Sequence, residues 1–214
     1  MKYNDLIRFM EPTRGNMMKI KRFILGLLEA NGYIIYQQEA SLCYIIDPGA
    51  KADVFLDTMT RLNLTCKGIL LTHHHSDHVG GVEKIRKTLN CQVFLHREDL
   101  DMYKKPATPL EDRDTFDLDG ETIMVVHTPG HTRGSVCYYS EKSKLAFTGD
   151  TVFNVDLGRT DLIDGDETQM EQSVKNVIDL WSNEITIYPG HGDSCTMKKV
   201  RSINKEYLDI INKI

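Results

Sequence analysis

The chain has 214 residues, 41% of them hydrophobic and 27% charged, and a formal net charge of −5. That length fits one sizeable domain, the composition excludes a disordered or collagen-like chain, and the acidic balance argues against a nucleic-acid groove as the main binding surface. Five cysteines, odd in number and without paired spacing, make no disulfide framework, and no apolar run approaches membrane-spanning length.

Residues 1–16 read as an N-terminal extension, with a short helix over 4–10 closed by Pro12 and Gly15, ahead of a single domain over 17–214. The charged start lacks the apolar stretch and cleavage site of a signal peptide, so a cytoplasmic protein without a membrane partner is expected. Residues 19–28 mix strand and helix signals. Gly32-Tyr33-Ile34-Ile35-Tyr36 and Leu42-Cys43-Tyr44-Ile45-Ile46 are β-branched and aromatic runs separated by polar residues, which predicts an antiparallel hairpin. Asp47-Pro48-Gly49 ends the second strand, and Val54, Leu56, Met59 and Leu62 then fall at helical spacing.

The strand Gly68-Ile69-Leu70-Leu71 runs into Thr72, and four histidines and a carboxylate follow within six positions, as His73, His74, His75, Asp77 and His78. In extended backbone alternate side chains share a face, so His73 and His75 form a pincer while His74 points the other way. A turn at Ser76-Asp77 brings His78 back into the same space, and Gly80-Gly81 leads into a helix over 82–89. Imidazole and carboxylate are the ligands that zinc, iron and manganese accept, so a metal at the strand end is the direct chemical reading.

Farther along, 92–95 reads as a strand and 97–103 as helical. Residues 105–120 read as a loop overhanging the site, with solvated charges at 111–114. His96 and His127 are assigned structural roles. Strands are expected over 122–126, 136–139, 145–147 and 185–188, and helices over 167–181, with Trp181 in the core, and 197–211. Three further candidate ligands each stand beside a glycine just after one of these strands: His131 in Pro129-Gly130-His131, Asp150 in Gly149-Asp150, and His191 in Pro189-Gly190-His191.

These blocks, in this order, resemble the metallo-beta-lactamase superfamily, specifically its hydrolases similar to glyoxalase II. The signature His-x-His-x-Asp-His is complete as His73, His75, Asp77 and His78, and the blocks around His131, Asp150 and His191 fit the later motifs. The resemblance implies an α+β fold, a four-layer αββα sandwich with its ligands on loops along one edge. It implies one metal held by His73, His75 and His131, a second by Asp77, His78 and His191, and Asp150 bridging them, while Asp47 either supports the site from behind or serves only its turn. Two zinc ions are implied, with iron or manganese as alternative metals, and a hydroxide shared between them as nucleophile. Asp77 has the added task of orienting the water or accepting its proton.

A thiolate leaving group needs little protonation, so a small-molecule thioester is the expected substrate, and Arg159 in Gly158-Arg159-Thr160-Asp161-Leu162 either binds a substrate carboxylate or makes a purely structural salt bridge. Whether glutathione is recognised is left open by the sequence. Ser135 stands where glyoxalase II usually has histidine, the tyrosine of its glutathione motif is missing, and the 23 residues after His191 are too few for its helical domain. The rival readings are a persulfide dioxygenase with one iron on ligands drawn from His73, His75, His131 and Asp150, a lactone or other ester hydrolase, and a non-catalytic metal-binding protein. Nothing in the sequence speaks to oligomeric state.

Overall fold

In the computed structural model of the chain, which describes residues 18–213, the β-branched and aromatic runs assemble into two six-stranded sheets. The first holds, side by side, β1 (Lys19–Leu25), β2 (Ala30–Tyr36), β3 (Leu42–Ile46), β4 (Thr65–Leu70), β5 (Gln92–His96) and β6 (Thr108–Leu110). The second holds β7 (Thr115–Leu118), β8 (Glu121–His127), β9 (Val136–Ser140), β10 (Leu145–Gly149), β11 (Thr186–Pro189) and β12 (Cys195–Thr196), again in chain order. β1 to β3 are antiparallel and β3 to β6 parallel, while in the second sheet only β10 and β11 run parallel.

Every residue of β2 is buried, because both faces of its sheet are covered. Tyr33 and Ile35 face Val125, Tyr138 and Phe147 of the second sheet. Ile34 and Tyr36 face the opposite way, into a cluster with Phe55 and Met59 of α1 (Ala52–Leu62) and Val82 and Ile85 of α3 (Val82–Leu89). On the far side of the second sheet, Ala146 and Ile187 pack with α5 (Glu167–Asn176), α6 (Met197–Ile203) and α7 (Lys205–Asn212). The result is the expected αββα sandwich. Two short helices complete the set: α2 (Ser76–Val79), and α4 (Leu100–Tyr103), which a 3-10 turn at Arg97–Asp99 precedes.

The stretch 105–120 is not an overhanging loop. It supplies β6 and β7, the edge strands of the two sheets, and buries Leu110 and Leu118 between them. Strands of three and four residues are too short to show an alternating pattern, and Pro109 is tolerated because β6 lies at an edge. The ambiguous stretch 19–28 is β1 and the tip of its hairpin. The helix expected over 197–211 breaks at Asn204, whose side chain accepts from the Tyr207 amide to cap α7. The extension at 1–16 lies outside the described residues. No helix among the described residues is long and apolar enough to cross a membrane.

Candidate metal centre

At the end of β4 the chain leaves the sheet, and Asp47 fixes the point of departure. Its carboxylate is buried and accepts from the Thr72 amide (2.8 Å) and the Thr72 hydroxyl (2.5 Å). The extended backbone that follows sends His73 and His75 to one side, and α2 returns Asp77 and His78 to the same space. Turns after β8, β10 and β11 deliver His131, Asp150 and His191.

The structure brings all seven expected side chains together. Ligand atoms of His73, His75 and His131 lie within 4.8 Å of one another, as do those of Asp77, His78 and His191. Asp150 stands between the triads, its carboxylate oxygens 3.5 Å from His131 Nε2, 3.4 Å from His78 Nε2 and 3.5 Å from His191 Nε2. Across the centre, His75 Nδ1 is 2.9 Å from His131 Nε2, and His78 Nε2 is 3.4 Å from His191 Nε2.

Which nitrogen faces inward is set by what holds the other one. His78 Nδ1 contacts the Asp47 carboxylate at 3.1 Å, and His73 Nδ1 the Thr72 hydroxyl at 3.0 Å. His131 Nδ1 donates to the Arg159 carbonyl (2.7 Å) and His191 Nδ1 to the Leu28 carbonyl (3.0 Å). Four imidazoles thereby present Nε2 to the centre, while His75 presents Nδ1.

The electrostatics suit a cation. Burial, then the neighbouring histidines, lower the pKa of His73, and burial with His131 takes His75 down to about 4, so both offer lone pairs. His78 is raised to about 9: burial opposes its charge, but Asp150 and Asp47 outweigh it. His191 is raised to about 10 by hydrogen bonds to Asp150 and Asp77. For Asp77, burial is outweighed by His191 and His78, which hold it down at about 2. Without a metal, then, protons on His78 and His191 balance two carboxylates. His73 Nε2 and Asp150 Oδ1 are buried without a hydrogen-bond partner, a cost that a bound ion would remove. The donor set of imidazoles and carboxylates fits zinc, iron or manganese equally.

His74 does point away, but not into solvent. Its amide and Nδ1 contact the Asp99 carboxylate at 3.0 and 3.1 Å, and its Nε2 lies 3.7 Å from Asp164. Replacing it is therefore not the neutral change that its outward direction suggests. Asp99, fully buried, also accepts from the Thr132 hydroxyl (2.9 Å) and the Gly134 amide (2.7 Å), tying the His73–His75 segment to the loop of His131. Sequence reasoning missed Asp99, which looks like one charge among several in an exposed turn. It also missed Asn31, whose buried side chain donates to the Pro189 and Gly192 carbonyls and so holds the His191 loop. Ser135 bonds the Thr132 amide and hydroxyl, and His96 and His127 stack with centroids 4.1 Å apart. Arg159 lines the open cavity above the centre.

A profile describing the metallo-beta-lactamase superfamily matches residues 25–191. The chain belongs to this superfamily. Among its relatives, the hydroxyacylglutathione hydrolase of Francisella philomiragia is 33% identical over 175 residues, 81% of this chain and 68% of that protein. The solved structure of the BLEG-1 B3 metallo-beta-lactamase is 32% identical, with a TM-score of 0.77 over 86% of this chain and 97% of its own. TTHA1623, solved in a di-iron-bound form, is 31% identical with a TM-score of 0.77, covering 86% of this chain and 98% of its own.

Proposed function

We propose that the protein is a cytoplasmic dinuclear metallo-hydrolase, with zinc as its metal, acting on a small thioester. The observation that carries this reading is the pair of triads joined by Asp150. His73, His75 and His131 would hold one ion and Asp77, His78 and His191 the other, with Asp150 shared. When bound, the pair supplies what no side chain here can: a water acidified to react at neutral pH and a polarised carbonyl.

The chain's own residues position and protect that chemistry. Asp47, Thr72, Leu28 and the Arg159 backbone lock the imidazoles in orientation, so little reorganisation is needed at the moment of reaction. Asp77 lies on the cavity side and orients the attacking water, taking its proton on the carboxylate. Addition of that water to the carbonyl forms the carbon–oxygen bond, the adduct then expels the thiolate, and the proton held on Asp77 returns to it, so that the products are a carboxylic acid and a thiol. A thioester suits this wall because its inward-facing histidine nitrogens belong to the ligand set, whereas a leaving amine would need a proton donor. The Francisella relative, named as a hydroxyacylglutathione hydrolase, supports a hydrolase acting on an acylated thiol. Arg159, at the cavity edge, contacts the outer part of the substrate. The five free cysteines suit a reducing cytoplasm.

Elemental analysis of protein purified without added metal, run beside thioester hydrolysis and oxygen uptake on a persulfide, tests the reading. About two zinc ions per chain with hydrolysis and no uptake are expected. One iron with oxygen uptake and no hydrolysis overturns it.

A further inference from the structure

The cavity above the centre measures about 710 Å³. Its floor is the histidine and aspartate cluster, but its walls are aliphatic and aromatic: Leu28, Phe153, Val155, Leu157 and Leu162. Several of these stand in water. Leu28 is 67% exposed and Val155 50%, and beside them Leu27 and Ile163 are 101% and 88% exposed. Such side chains gain nothing from facing solvent, and a contiguous exposed apolar patch marks a surface that something else covers.

Two segments carry these walls, the hairpin tip between β1 and β2 and the loop 153–163, and each is pinned to one of the triads. The Leu28 carbonyl holds His191 Nδ1, and the Arg159 carbonyl holds His131 Nδ1. The apolar walls therefore stand at fixed positions over the reacting centre. The charge pattern says what they receive. Arg159 is the one arginine or lysine among the described residues lining the cavity, and its Nε and Nη2 donate to both oxygens of Asp161, at 2.7 and 2.8 Å. Asp156 adds a carboxylate to the same wall. Away from the metal ions proposed for the floor, this wall therefore offers no unpaired cation to hold an anionic group of the substrate.

We propose that this cavity receives an uncharged aliphatic arm of the substrate, an acyl chain lying against Leu28, Val155 and Leu162, and that these residues set specificity. The inference rests on the acyl-hydrolase reading and narrows it to aliphatic acyl thioesters with a neutral thiol part.

The test is a series of acetyl, butanoyl, hexanoyl and octanoyl thioesters of the neutral thiol N-acetylcysteamine, with the glutathione thioesters of the same acids as anionic counterparts, on the metal-loaded enzyme. kcat/KM should rise about two- to fourfold per added methylene, mainly through KM, and the neutral series should be preferred. Leu28→Ser and Val155→Ser should shrink the octanoyl-to-acetyl ratio, whereas Leu180→Ser, at an exposed leucine outside the cavity, should leave the ratio as it is. Calorimetry with the matching aliphatic amides should show the same increment in Kd and a negative heat-capacity change. Hydrolysis with a flat ratio, or a preference for the glutathione series, overturns the inference and leaves the hydrolase reading standing. Chain-length-dependent amide binding without hydrolysis of any thioester refutes the hydrolase and keeps the apolar arm. A dimer that Leu28→Ser dissociates, together with a flat ratio, would assign the face to a second copy of the chain and also overturn the inference.

Discussion

Asp99 is the residue whose removal tests the architecture of the centre most directly. Asp99→Ala takes away one buried carboxylate and with it the acceptor for the His74 and Gly134 amides, the Thr132 hydroxyl and His74 Nδ1. One of these donors has another partner, since the Thr132 hydroxyl also meets Ser135 at 2.8 Å, and His74 can shift its proton from Nδ1 to Nε2, which lies 3.7 Å from Asp164. The two amides have no such alternative. At about 1–3 kcal/mol for each buried unsatisfied donor, the substitution costs about 4 kcal/mol. For a domain of this size that corresponds to a fall in Tm of about 8–16 °C. Asp99→Asn keeps one good acceptor but turns an NH2 group toward one of the two amides, so it should cost roughly half as much. The assay is thermal unfolding by circular dichroism, with metal counted per chain. Because Asp99 joins the segment carrying His73 and His75 to the loop carrying His131, metal content should fall in the same order as stability. An alanine variant melting within about 1 °C of the parent would refute the reasoning, since even one orphaned amide costs at least about 2 °C.

Two further predictions concern the metal and its surroundings. In metal-stripped protein the pKa values of His78 and His191 are raised to about 9 and about 10, so the stability they contribute is full below pH 6.5 and is lost as the pH rises toward 10. Metal binding requires those imidazoles to be deprotonated, so the stabilisation by added zinc should grow over the same interval. Thermal melts with chelator and with zinc between pH 6 and 9.5 measure both, and parallel curves would remove the two histidines from the ligand set. Gly190→Ala places a methyl 2.0 Å from Asp150 Oδ1 and 2.8 Å from His78 Cε1, where nothing can give way without moving the proposed bridging ligand. Loss of metal with the circular dichroism spectrum retained is the expected result, and unchanged metal content would show that Asp150 can move aside.

The cluster at the end of β4 was legible because its chemistry is local: four histidines and an aspartate in six residues have few uses, and the structure gathers three of those histidines and the aspartate at one place. His131, Asp150 and His191 were readable for a related reason, since each lies within four residues of a strand's end and stands beside a glycine that the close packing requires. The edge strands β6 and β7 were hidden by their length. What was not legible is the set of partners that fix each histidine's far nitrogen. Two of them, the Leu28 and Arg159 carbonyls, are backbone groups that any residue would provide. Asp99 carries no mark in the sequence that separates it from Glu98 or Asp101, and its burial is decided by how the 3-10 turn at Arg97–Asp99 meets the His131 loop.

The direction of His74 shows how far an alternation argument reaches. Period-two spacing correctly sets its face apart from that of His73 and His75, but a face in an extended segment is only a direction. Whether that direction meets water or protein depends on chain 25 and 90 residues away, at Asp99 and Asp164. The same distinction bears on Arg159. A cation beside a presumed active site suggests an anion in the substrate, yet its guanidinium already meets a carboxylate two residues on, in Asp161. An exposed ion pair of this kind is worth little and an anionic substrate can compete for it. The stronger constraint on specificity is the one that such competition cannot relieve, namely the aliphatic wall formed by Leu28, Val155 and Leu162, which gains free energy only when another apolar surface covers it.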